Sequence, residues 1–398
     1  MRAAWMLFLA GCGFRSAATA PTTSVDDAGT TDGTAAGPIC ASIAAGTPQF
    51  IASACAMPPS QPLQLTATTS VDTDLGTSSP SGASCVRTSN GNLGLCIIVA
   101  PSIVIAPGVT LSAHGTLPLA LFAHAITIRG TVDVAGHAGS SLLGAGARRS
   151  GCIAGAFPSH AGGGHGGADS GQGGAGGDEG NAPGSGGHGS FSIGIVSVLG
   201  GCGGTRGGDG TTPTGDDGGT STGGSGGGAV WIVSDTAALT LDAGASINAS
   251  GAGGQGGTAT IPGGAGGGAG GVIVLQSPAI HLDPAAAIFA NGGAGGGGAG
   301  ANPATASFTV GTDGTDPAGP TSGGTGGTGG VDGQGLIATD ALGGEGSPGF
   351  PSDPRDGHPG GTDGHGGGGG GGGSGAILVV SGTRIAGANV SPTAVNLQ

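Results

Sequence analysis

Four stretches of the chain repeat one pattern of apolar and polar positions: IVIAPGVTLSAHG, ITIRGTVDVAG, LTLDAGASINASG and IHLDPAAAIFANG. Aligned, they place Ile103, Ile126, Leu239 and Ile280 at one position, and Ile105, Ile128, Leu241 and Leu282 two residues on. Alternation at period two sets these side chains on one face of a strand. A second strand follows each, aligning Leu111, Val132, Ile247 and Ile288, then Ala113, Val134, Ala249 and Ala290, and it ends on Gly115, Gly136, Gly251 or Gly292. Ahead of each pair stands a third apolar run: CIIVA, LALFA, AVWIV and VIVLQ. AILVV, residues 376–380, opens a fifth and degenerate copy that reaches Ser391. Three short strands and tight turns in about twenty residues make one coil of a parallel β-helix, and stacked coils bury aliphatic ladders that no single coil could bury. The expected fold is therefore all-β, an irregular parallel β-helix over residues 97–392.

The spacing of the copies is uneven, and the intervals hold most of the glycine. Residues 138–228 and 294–375 read as glycine-rich insertions at one turn of the repeat, which maps them to loops on one side. As loops they contribute no core, so excision of residues 296–373 is expected to leave the strands folded. Eight consecutive glycines, 366–373, lead straight into AILVV. Runs such as GGTGGTGGVDGQG (323–335) repeat in threes, the period of a polyproline-II helix. Without Cβ atoms, such helices are narrow enough to exchange hydrogen bonds, giving a polyglycine-II-like alternative to flexible coil. FSIGIVSVLGG, 191–201, reads as an additional docked strand.

Composition narrows the function. Gly supplies 100 of the 398 residues, yet the apolar fraction is 36% and the charged fraction 8%, unlike a disordered chain. The net charge is -14 and every basic residue is Arg. A nucleic-acid partner would need a basic face, and a phosphate loop or Schiff base would need Lys, so these classes are excluded. Tyr is absent, and stacking platforms are correspondingly scarce.

MRAAWMLFLAGC at the start has one Arg, a short apolar run and small residues before Cys12. It resembles a bacterial lipoprotein signal, which implies a signal peptide over residues 1–11, lipid on Cys12 and, with Gly13 after the Cys, an outer-membrane address. The apolar run is too short to span a bilayer. Residues 12–36 read as a flexible tether, 37–96 as a disulfide-stapled cap and 393–398 as a tail. Six further cysteines form an even set, as in an exported disulfide framework. In CVRTSNGNLGLC the Asn90-Gly91 hairpin signal places Cys85 opposite Cys96. Sequence proximity pairs Cys40 with Cys55, and Cys152 with Cys202.

Candidate chemistry is sparse. Gly223-Gly224-Ser225-Gly226-Gly227 matches the nucleophile elbow in letters, but a glycine run precedes it and a strand follows, where the elbow needs strand then helix. GGAGGD (173–178) lacks the apolar residue of a calcium nonapeptide, since Gly180 stands there. Asp356, His358, Asp363 and His365 form a doubled Asp-Gly-His unit of the donor types that suit zinc, as a loop-based metal alternative. His160, His165 and His188 share another insertion with Asp169, Asp178 and Glu179. Asp242 and Asp283 stack on adjacent coils with Arg129 at the same position, so a carbohydrate-active β-helix lyase or hydrolase is the enzymatic alternative. No catalytic residue, no cofactor and no metal is expected.

Through the lipobox, the cysteine cap and the units IRGTVDVAG and INASGAGG, the chain resembles glycine-rich surface lipoproteins of the myxobacterial type. That resemblance covers nearly the whole chain and carries no activity with it. GGAGG repeats also give a likeness to PE-PGRS proteins, in composition alone, since no Pro-Glu domain opens the chain. The expected role is structural, adhesive or surface-coat at the outer membrane. Its expected partners are the bilayer, through lipid, and cell-surface or matrix polysaccharide or protein.

Overall fold

The computed structural model describes residues 61–90, 93–140, 142–147, 158, 160–178, 198–209, 222–258, 262–302, 307–330, 356–360, 366–385, 387 and 389–397. The chain divides into two compact units, Met1–Ala36 and Gly37–Gln398, and every described residue lies in the second.

That unit is all-β. Its strands are β1 (Leu63–Leu65), β2 (Thr69–Asp72), β3 (Thr77–Ser79), β4 (Val86–Asn90), β5 (Leu93–Ile105), β6 (Thr110–His114), β7 (Leu119–Ile128) and β8 (Thr131–Asp133). After the first long interval come β9 (Ala229–Ser234), β10 (Leu239–Leu241), β11 (Ser246–Asn248), β12 (Val272–Gln276), β13 (Ile280–Leu282) and β14 (Ala287–Phe289). A short antiparallel hairpin, β15 (Gly300–Asn302) and β16 (Ser307–Thr309), stands apart, and β17 (Ala376–Val380), β18 (Val390–Ser391) and β19 (Val395–Asn396) complete the set.

Two open sheets hold these strands. One runs β1-β5-β7-β9-β12-β17-β19, with β10 and β13 continuing the ladder from the far end of β7. The other runs β18-β14-β11-β8-β6-β2-β3. Pairing is parallel except where β3 and β4 fold back on β2 and β5. The register matches the aligned repeats: Ile103 faces Ile126, which faces Leu239, which faces Ile280. Leu111, Val132, Ile247 and Ile288 stack likewise in the second sheet. Between the sheets these residues form one core, with Ile105, Ile128, Val132, Ile247 and Ile288 fully buried. Each such side chain contributes about 1.5–3 kcal/mol over its exposed state. Gly244 turns the chain from β10 into β11 at φ 78°, a conformation that disfavours any Cβ.

The glycine segments make a second kind of core. Residues 262–271 are entirely buried and run through its middle. Gly264, Gly267 and Gly270 donate to the carbonyls of Gly367, Gly370 and Gly373 (2.8, 2.9 and 2.9 Å). Ala265, Gly268 and Gly271 donate to Gln255, Ala252 and Ala249, and Gly263, Gly266 and Ala269 donate to Gly208, Thr205 and Cys202. In return, the carbonyls of Gly264 and Gly267 accept from Gly164 and Gly167, those of Gly266 and Ala269 from Gly224 and Gly227, and those of Ala265 and Gly268 from Gly296 and Gly293. Donors therefore rotate with period three to three neighbours, and acceptors to three others. A strand, with period two, can bond only two neighbours in one plane. None of the glycines in 262–271 has a positive φ, so glycine is needed there for space. A Cβ on Gly270 would lie 2.0 Å from the carbonyl oxygen of Ala290.

Three expectations change. The described parts of 138–228 and 294–375 are not protruding loops: residues 162–168, 290–300 and 366–375 are buried and bonded into the bundle, and the eight glycines belong to it. Stacking also begins before residue 97, because β1 and β2 pair in register with β5 and β6 (Leu63 with Ile103, Val71 with Ala113). Thr69 facing Leu111 hid this first rung from an aliphatic alignment. Finally, Cys85 and Cys96 are disulfide-bonded with Cα atoms 5.2 Å apart, but Arg87 stands opposite Cys96 and Asn90 opposite Leu93. The bond is therefore diagonal to the ladder, and the hairpin register is displaced by two residues from that of an Asn90-Gly91 turn.

Candidate functional site

A charged cluster lies where β8 leaves its sheet and the glycine bundle begins. Asp133 ends β8, and its Oδ1 accepts the amide of Ala135 at 3.1 Å, as Asn248 at the matching position of the next rung accepts from Ser250 at 3.0 Å. That turn aims Asp133 Oδ2 at His137 Nε2, 3.2 Å away. The other ring nitrogen, Nδ1, lies 3.5 Å from Asp316 Oδ2. Asp316 also accepts the amides of Ala138 (3.0 Å) and Gly253 (2.8 Å). It sits at the tip of an arm, residues 311–330, whose turn is held by Asn291 Nδ2 donating to the carbonyls of Gly319 (3.0 Å) and Ser322 (3.1 Å).

This geometry fixes the charge state. The hydrogen bond to Asp133 is the largest influence on His137, followed by that to Asp316; together they outweigh burial and push its pKa up to about 10. Burial alone would raise the Asp316 carboxyl, but His137 and the amides of Gly253 and Ala138 hold it below its usual range. At neutral pH the site is an imidazolium between two carboxylates. Both ring nitrogens then donate, leaving no lone pair for a proton or a metal. Among the described residues, no group of three or more His, Cys, Asp or Glu is arranged to hold a metal ion.

No family model, curated protein or solved structure matches the chain. Its function has to be argued from its own side chains.

The residues singled out by sequence are mostly engaged in holding the backbone. Asp242 pairs with Arg129 at 2.8 Å, while Asp283 Oδ1 accepts the amide of Ala285 in its own turn (2.8 Å). The two carboxylates therefore sit in separate bonding arrangements. Asp356 Oδ1 accepts the amide of Ala175 at 2.7 Å, and the carbonyl of His358 accepts from Gly368 at 2.9 Å. Asp363 and His365 lie outside the described residues, as do Glu179 and His188. His165 and Asp169 are buried inside the bundle, with His165 Nδ1 2.9 Å from the carbonyl oxygen of Gly166. His160 holds a left-handed backbone (φ 50°). Ser225 lies in a bundle segment that leads into β9, with its hydroxyl buried and lacking a hydrogen-bond partner. Cys202 is disulfide-bonded. Cys12, Cys40, Cys55 and Cys152 lie outside the described residues.

Sequence reasoning missed His137 and also His124, whose Nδ1 lies 2.8 Å from the buried Asp235. A partial signal for His137 existed, since Asp133 and His137 flank the Gly that ends a repeat. Asp316 belongs to a distant interval with no pattern tying it to β8. Among the described residues, no helix is long and apolar enough to cross a membrane.

Proposed function

We propose that this chain is a non-catalytic cell-envelope lipoprotein with a structural, adhesive or surface-coat role, anchored by lipid on Cys12. In this reading the two parallel sheets are the faces of an irregular β-helix, and the bonded glycine segments form a polyglycine-II-type bundle on its open side. The observation that carries the functional reading is the use made of polar side chains. Asp313, Asp316 and Asp356 accept backbone amides of neighbouring glycine segments, as do Thr312 and Thr315, whose hydroxyls accept from Thr328 (2.6 Å) and Thr325 (2.7 Å). These side chains blunt the bundle edge, where unpaired amides would otherwise recruit other chains. A bonded β-sheet and glycine bundle suits coat or adhesive work, whereas Asp242 and Asp283, the carboxylates of the carbohydrate-active alternative, are separately engaged.

Labelled palmitate should be incorporated by the wild type and lost in Cys12→Ser, and protease shaving of intact cells should release peptides of the second unit. Equal labelling of both forms, or full protection from shaving, would refute the surface lipoprotein. For the β-helix, cysteines at Thr240 and His281, register partners on adjacent rungs, should oxidise to a disulfide. Failure of that pair to close would count against stacked coils.

A further inference from the structure

Two bodies of different physics meet at the exit of the second sheet: a side-chain core between strands and a backbone-bonded glycine bundle. The tip of the arm 311–330 crosses that seam. Its contacts there come from residues just beyond three successive strands: Ala138 after β8, Gly253 after β11 and Asn291 after β14. His137 adds a cation between Asp133, which belongs to the sheet, and Asp316, which belongs to the arm. These two carboxylates are the charged groups acting on His137. Asp313, the arm's other nearby charge, is turned to the amide of Gly256 at 2.8 Å.

We propose that Asp133, His137 and Asp316 form a charge-dependent latch that pins the tip of the arm to the sheet exit, so that discharging His137 frees the tip while the strands stay folded. Asp316 accepts its two backbone amides in a fixed position, and the imidazolium holds that carboxylate against the sheet. Without the cation, Asp133 and Asp316 face each other as like charges. The signs define the window. His137, with its affinity for protons raised by the fold, supports the latch fully below about pH 6.5, and its support is lost as pH rises through about 10. Asp316, with its pKa lowered, supports the latch above its ordinary value of 3.8, and its support is lost as pH falls through the depressed one.

Amide exchange of the full chain at pH 7 tests the latch. In His137→Ala, which removes neither amide bond to Asp316 directly, the amides of Ala138 and Gly253 should exchange about fivefold faster or more, as for an exposed ion pair lost. Those of Ile126 and Ile247 should be unchanged. His137→Arg, permanently charged, should retain protection. Non-exchanging Cα–H resonances of Gly314 and Gly319 should, in the wild type at pH 10.5, move to their positions in His137→Ala, and should not move in His137→Arg. Unaltered exchange at Ala138 and Gly253 in His137→Ala would overturn the latch, and so would exchange rising equally in the strands. Asp316→Asn provides a second variant that should loosen the same tip.

Discussion

Replacing Gly268 by Ala should unfold more of this protein than the size of a methyl group suggests. A Cβ at Gly268 would stand 2.0 Å from the carbonyl oxygen of Ser225, 2.5 Å from its carbon and 2.9 Å from the oxygen of Gly224. Carbon–oxygen contacts settle near about 3.3 Å, so one segment must retreat by about 1.3 Å. The obstacle is backbone, with no flexible side-chain end to swing away. Gly268 donates to Ala252 (2.8 Å), Ala252 donates to Ser225 (2.8 Å) and Gly293 donates to Gly268 (2.9 Å). A retreat of that size carries two or three of these bonds out of range, at about 1 kcal/mol net each. Overpacking adds about 1–3 kcal/mol, and the stiffer unfolded chain returns about 0.4–1 kcal/mol. The expected loss is about 3–5 kcal/mol, a fall in melting temperature of roughly 5 °C or more for a unit of this size. Gly382→Ala is the control, since its Cβ would come no closer than 3.7 Å to anything and φ is not left-handed. Circular dichroism melts of the two variants decide the matter. Melting temperatures within about a degree of each other would mean that the glycine segments are not packed, and the second core would have to be given up.

Other perturbations probe the remaining layers. Leu241→Asp, placed between Ile128 and Leu282 and 1% exposed, buries an unpaired carboxylate and should abolish cooperative unfolding in circular dichroism at a cost of several kcal/mol. Excising residues 296–373 should also destabilise the chain, opposite to the expectation for loops, because it removes three of the four carbonyl acceptors for Gly264, Gly267, Gly270 and Ala376, of which only Gly271 remains. Breaking the Cys85–Cys96 bond, which spans 11 residues, should lower the urea midpoint by the equivalent of about 3 kcal/mol at most, since the hairpin already limits the unfolded chain. Stability of the wild type should fall between about pH 6.5 and pH 10 relative to His137→Arg, by about 1 kcal/mol once solvent screening of a half-exposed pair is counted. Parallel pH profiles of the two proteins would dismiss that ion pair as a stabilising contact.

The ladders were legible because their signal is local and repeated. Period-two alternation names the inward residues, and equal positions in successive repeats name their partners, so Ile103, Ile126, Leu239 and Ile280 could be stacked without coordinates. The first rung escaped because Thr69 stands at an aliphatic position of the pattern, and the Cys85–Cys96 bond was named correctly from a turn whose register was wrong. The three-residue period of glycine was equally visible, yet it is compatible with both a free polyproline-II coil and a bonded lattice. What separates them is the number of neighbours available to each segment. Residues 262–271 gain their order only because six other segments, drawn from residues 160 to 375, surround them with carbonyls and amides at matching height. The charged seam depends on that arrangement too: Asp133 and His137 are four residues apart, but Asp316 reaches them only when the arm is laid across the exit of the sheet. Sequence alone determined the strands of the four aligned repeats, their alternation and their pairing order, since these follow from short-range periodicity. Tertiary structure alone decided that the glycines are a core, because a backbone without side chains carries no pattern of inside and outside until its neighbours are in place.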